Sequence, residues 1–106
     1  MEKRYILNRL LDFYGALLTE HAQELMRLRV EEDMSLQEIA DECGISRQAV
    51  HDSLSRSERQ LIEFEEKLGL SARFEYLKQS VSECEMQLKS AREALDRAQE
   101  IIQSLD

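Results

Sequence analysis

An all-helical fold follows from three features of this 106-residue chain. Proline is absent and glycine occurs only three times, so little interrupts a helix. Apolar residues recur at steps of three and four along nearly the whole length, which is the repeat of one helix face and not of a strand. Between Met34 and Arg56, two short amphipathic segments flank a single glycine, the layout of a helix-turn-helix. The expected architecture is a helical helix-turn-helix module over 1–56, with the motif at 35–56. Residues 57–106 should extend the second motif helix and add a long heptad helix, giving a helical hairpin or coiled-coil arm.

The first helix is expected from about Lys3 to Leu18. Tyr5, Ile6, Leu10, Phe13, Tyr14, Leu17 and Leu18 form a stripe broad enough to face a core, and Gly15 weakens the helix without forbidding it. Thr19 suits the N-cap of a second helix presenting Ala22, Leu25, Met26, Leu28 and Val30. Glu31, Glu32 and Asp33 make an acidic hinge. In the motif, Ser35 and Glu38 have the spacing of a capping box. Leu36, Ile39, Ala40 and Cys43 share one face, with the small Ala40 where two helices must cross. Gly44 can adopt the left-handed conformation that ends this helix, Ile45 plugs the turn, and Ser46 caps the next helix. That helix should bury Ala49, Val50 and Leu54 and show Arg47, Gln48, His51, Asp52 and Ser55 to solvent.

No stop signal follows until Gly69. Leu61, Phe64 and Leu68 continue the stripe, with Ser57 in one slot, so the recognition helix should run from Ser46 to Leu68. Gly69 then serves as its C-cap, and Ser71 starts another helix. In that helix Phe74, Leu77, Val81, Cys84, Leu88, Ala91, Leu95, Ala98, Ile102 and Leu105 form an unbroken heptad seam, widened by Ala94 and Ile101. Glu85–Lys89 and Glu93–Arg97 are four apart with the acid first, the better order for a helix. From Ser71 to Leu105 the helix would be about 50 Å long, and the helix before it about 35 Å. Folding back across Gly69 would cover part of the seam. The remainder calls for a second chain, with Val81, Cys84, Leu88, Ala91, Leu95, Ala98 and Ile102 as the dimer seam. The alternative is that the N-terminal helix covers it within the monomer.

The net charge is −8, and Met1–Arg56 and Ser57–Asp106 each hold 7 basic and 11 acidic residues. DNA-binding proteins neutralise several phosphates with Lys and Arg. Here Arg47 and Arg56 are offset by Asp52 and preceded by Asp41 and Glu42, so the charge balance opposes tight DNA binding. Enzyme chemistry is not expected: no nucleophile sits with a base, no Gly-rich phosphate loop occurs, and the carboxylates lie on open helix faces. Cys43, Cys84, His21 and His51 match no zinc spacing, and no metal or cofactor is expected. The two thiols are expected to stay reduced and packed as small hydrophobes. No signal peptide is visible, and the longest apolar run, Phe13–Leu18, is far too short to span a bilayer. The expectation is a cytoplasmic protein with no membrane insertion.

With these residues laid out, the stretch TEHAQELMRLRVEEDMSLQEIADECGISRQAVHDSLSR resembles the region-four DNA-binding domain of bacterial sigma factors. The fuller pattern is similar to the YlxM family of small bacterial helix-turn-helix proteins. It comprises the lead YILNRLLDFYGALLT, the motif, and an acidic helical tail of about 40 residues. Members of that family are encoded beside the genes for the signal recognition particle GTPase and its receptor. The resemblance therefore implies an accessory or regulatory role in protein targeting, with a DNA-binding transcription regulator as the alternative. It also implies that Ser46, Arg47, Gln48, His51, Asp52 and Ser55 are the groove-facing set. In such a set Arg47 would reach a guanine or phosphate, Gln48 an adenine edge, and protonated His51 a phosphate. The expected partners are a second copy of the chain, a component of the signal recognition particle, and more weakly DNA.

Overall fold

The computed structural model describes residues 2–105, and among these only helices, turns and short connections occur. Met1 and Asp106, the outer limits of the two expected segments, lie outside the described residues. Five α-helices follow in order: α1 (Glu2–Tyr14), α2 (Glu20–Val30), α3 (Leu36–Cys43), α4 (Arg47–Leu68) and α5 (Leu70–Ser104), with a 3-10 turn at Gly15–Leu17 between α1 and α2. The fold is all-α, with a helix-turn-helix and a long C-terminal helix. The chain divides into two compact units between Ser71 and Ala72.

In the first unit, α1, α2 and α3 pack against α4 around one core. Tyr14, Leu25, Met26, Ile39, Val50 and Leu61 are its most deeply buried large side chains. Leu61 lies beyond the motif's end at Arg56, so the second half of α4 also contributes to this core. Ser57 is buried in the stripe as its spacing implies. Two αL glycines punctuate the chain: Gly44, at φ +68°, ends α3, and Gly69, at φ +63°, ends α4. Both backbones need a conformation that a Cβ disfavours.

Several first-helix expectations are corrected. α1 stops at Tyr14 and the backbone tightens into the 3-10 turn, instead of running on to Leu18. Gly15 is buried there, and a Cβ on it would lie 3.2 Å from Leu11 Cδ1. Because the helical phase is lost at that point, Leu17 points to solvent while Leu18 is buried. Tyr5 and Ile6, near the start of α1, are also exposed. On α4, Leu68 is exposed, and Ala49 faces solvent while its neighbour Val50 is fully buried. The inward stripe of α4 runs through Val50, Leu54, Ser57 and Leu61, and Ala49 falls outside it.

A polar network fastens the α4–α5 turn to α1. The buried Tyr14 hydroxyl donates to Glu65 Oε1 at 2.6 Å and accepts from the Leu70 backbone N–H at 2.9 Å. The same Glu65 oxygen accepts from the Ser71 N–H at 3.0 Å, and Arg9 Nη2 donates to the Ser71 carbonyl at 3.2 Å. Burial first, then the adjoining Glu65 carboxylate, push the Tyr14 hydroxyl above its usual pKa.

The second unit consists of α5 from Ala72 onward. Its seam residues Val81, Leu88, Leu95 and Ile102 are all exposed, as are Cys84, Ala91 and Ala98. Cys84 is therefore an exposed thiol, not a packed one, while Cys43 is half-buried against the core of the first unit. Lys78 Nζ lies 5.9 Å from the centre of the Phe74 ring, one turn away on the same helix.

Candidate recognition face

The motif is assembled by local bonds. Ser35 Oγ accepts from the Glu38 N–H at 3.1 Å, while Glu38 Oε1 accepts from the Ser35 N–H at 3.0 Å. These bonds hold the Glu38 carboxyl below the usual carboxylate range. Buried Ile39 and Ala40 seat α3 against α4. After the left-handed Gly44, Ser46 Oγ accepts from the Ala49 N–H at 3.0 Å and starts α4. Val50 and Leu54 point inward, which turns the opposite side of the first turns of α4 outward.

That outward side carries the six residues selected from sequence. Ser46, Arg47, Gln48, His51 and Asp52 are exposed, and Ser55 is half-buried at the edge. The face is partly closed on itself. Gln48 Nε2 donates to Asp52 Oδ1 at 2.9 Å, and His51 Nδ1 lies 3.5 Å from the same oxygen. A matching bond runs along α3, where Gln37 Nε2 donates to Asp41 Oδ1 at 2.9 Å. The amide best suited to an adenine edge is thus engaged by a carboxylate one turn away.

A cleft of about 410 Å³ flanks this face, and His51, Ser55 and Glu58 of α4 form one wall. Lys3, Arg4 and Arg29 enter it from α1 and α2, which sequence reasoning missed because they lie far from the motif in the chain. A basic pair at the chain's start and an arginine ending α2 were visible in sequence, but their convergence depends on the packing. Each of these cations has a partner within the unit. Lys3 Nζ pairs with Glu58 at 3.0 Å, and Arg4 pairs with Asp33 at 3.3 Å and donates from Nε to the Val30 carbonyl at 2.9 Å. Arg29 Nη1 donates to the Met34 carbonyl at 2.8 Å.

The acidic hinge is similarly internally compensated. Arg27 pairs with Glu32 at 3.3 Å and with Glu24 at 2.7 Å, and Asp33 holds a left-handed backbone at φ +56°. Among the described residues, no group of His, Cys, Asp and Glu could hold a metal ion, and no helix is long and apolar enough to cross a membrane.

Two compact helices joined by a left-handed glycine, with a capped and outward-facing second helix, define a helix-turn-helix protein. Residues 1–103 match the family UPF0122, described as "Putative helix-turn-helix protein, YlxM / p13 like". The chain is similar to a UPF0122 protein of Halalkalibacterium halodurans, 42% identical over 106 residues that cover 100% of this chain and 94% of the relative. It is also similar to one of Symbiobacterium thermophilum, 49% identical over 89 residues covering 84% and 77% of the two chains. A third, from Desulforamulus reducens, is 46% identical over 83 residues, covering 78% and 71%. The chain belongs to the UPF0122 family.

Proposed function

We propose that this protein is a helix-turn-helix regulatory accessory of the signal recognition particle pathway, cytoplasmic, non-enzymatic, and homodimeric through α5. The observation that carries the reading is Asp52 at the middle of the recognition face, holding Gln48 at 2.9 Å. A carboxylate there repels phosphate and occupies a base-reading amide, while the nearby cations of α1 and α2 are engaged within the fold. With a net charge of −8, the surface suits a basic protein partner, whose encounter it would steer. The pathway comes from the family resemblance, and the dimer from the exposed apolar seam of α5.

A second reading, a DNA-binding transcription regulator, is favoured by exposed Ser46 and Arg47 at the start of α4, where a recognition helix meets base edges. Fluorescence anisotropy on the full chain tests the two together, with the purified signal recognition particle GTPase and a random-sequence duplex as probes. Binding to the duplex should be weak even at low salt, because few free cations are available to release counterions. Binding to the GTPase should fall as salt rises. Reversing Asp41 and Glu42, which are exposed, should weaken it. Reversal at Glu31, Glu32 and Asp33 should weaken it too, although the last two also carry pairs with Arg27 and Arg4. Tight duplex binding at physiological salt that is lost in Arg47→Ala would overturn the first reading in favour of the second.

A further inference from the structure

From the seam of α5 we infer an antiparallel homodimer in one register, with Leu88 opposite the partner's Ala91. This rests on the reading above that α5 is a dimer interface, and adds its orientation and alignment. Between Val81 and Ala98 the seam alternates in bulk, while Phe74, Leu77, Ile102 and Leu105 at its ends are all large. Taking Phe74 as a heptad a position, the larger residues Val81, Leu88 and Leu95 fall at a, and the small Cys84, Ala91 and Ala98 fall at d. A parallel, in-register pair stacks like on like, so each small layer would face another small layer and leave space unfilled. An antiparallel pair places a against d of the partner. With Leu88 on the partner's Ala91, Leu95 falls on the partner's Cys84 and Val81 on the partner's Ala98, each large residue meeting a small one.

Charge selects this register among the antiparallel ones. Positions flanking the seam at e are Lys78, Glu85, Arg92 and Gln99, and in an antiparallel pair e lies beside e of the partner. In the proposed alignment Glu85 faces the partner's Arg92, and the twofold axis repeats the pair. Sliding by one heptad in one direction brings Glu85 onto the partner's Glu85 and Lys78 onto the partner's Arg92. Sliding in the other direction brings Arg92 onto the partner's Arg92. In a parallel pair, Arg73 at g would face the partner's Lys78 at e, again like on like. The proposed register also overlaps nearly the whole of α5, from Phe74 to Leu105, and covers the exposed Val81, Leu88, Leu95 and Ile102. The occupant of this face is therefore a second copy of the chain.

Charge exchange and thiol crosslinking in the full chain test this, with light scattering and sedimentation as readouts. Glu85→Arg alone and Arg92→Glu alone should each raise the dimer dissociation constant about tenfold, because two cross-chain pairs become repulsions. The double exchange should restore it to within about threefold of wild type. In a Cys43→Ala background, Leu95→Cys should give a covalent dimer on mild oxidation through Cys84 and the partner's position 95. Cys84 alone should not, because the two copies of Cys84 would be separated by about 16 Å along the axis. A dimer that crosslinks readily through Cys84 alone and ignores the charge variants would overturn the register while leaving the interface standing. A wild-type monomer at tens of micromolar, the range of a micromolar-affinity dimer, would overturn both.

Discussion

Three single residues carry much of the first unit's geometry. Ala40 is almost fully buried where α3 meets α4, and Ala40→Leu should lower the urea midpoint by forcing the crossing apart, at a cost of about 1–3 kcal/mol. Gly44→Val should also lower it, by at least about 1 kcal/mol, because a β-branched residue is strained at φ +68°. Nothing lies within 4 Å of a Cβ at Gly44, so that loss is one of backbone conformation and not of crowding. Tyr14 sets an alkaline limit. Its folded pKa is raised, so the folded and unfolded states are equally protonated below the ordinary value of 10.0. Stability should then fall as pH climbs through that value toward the folded one. Tyr14→Phe should flatten this alkaline decline and also lose about 1–3 kcal/mol at neutral pH, through the partners it strands. Urea unfolding on both sides of that pH checks each part.

At the scale of the helix, what could be read from sequence was what is local. The capping box, both αL glycines and the Ser46 cap depend on residues at most four apart, and the structure places each as its spacing implies. Ser46→Ala should cost about 1 kcal/mol by leaving the Ala49 N–H without its acceptor. Glu38 adds an acid limit: its lowered pKa contributes stability above the ordinary carboxylate value of 4.5, lost as pH falls through the folded value. Glu38→Gln preserves the acceptor geometry and should remove that pH dependence, which thermal melts between neutral and acid pH would reveal. What could not be read was phase and distance. The 3-10 turn after Tyr14 breaks the helical phase, so Leu18 keeps the inward place a continuous helix would give it while Leu17 turns to solvent. Alanine fits either side of a helix, and so Ala49 gave no sign that it faces water. Of the recognition face, the residues were legible and their mutual bonding was not, because whether Gln48 reaches Asp52 depends on rotamer choice.

Across the whole molecule, the acidic composition bears on the proposed partner in the same direction as Asp52 does. The acidic balance is equal in the two halves of the chain, so neither half carries a net positive charge. The cations nearest the recognition face converge from α1 and α2, and their pairing with Glu58, Asp33 and a backbone carbonyl could not be inferred from spacing. If α5 forms the dimer, Leu88→Lys or Leu95→Lys places a charge in the seam and should raise the dissociation constant roughly tenfold or more, measured by light scattering across a dilution series. Circular dichroism should show little change in the first unit, whose core contains neither residue.

The Tyr14–Glu65 network also fixes where the chain can be cut. A fragment ending at Leu68 would keep the entire motif yet strip the Leu70 and Ser71 N–H donors from a buried phenol and the carboxylate beside it. One ending shortly after Ser71 would retain them. The smallest autonomous folding piece therefore includes the first turn of the arm, and in hydrogen exchange the Leu70 and Ser71 amides should open with the globular core, not with the rest of α5.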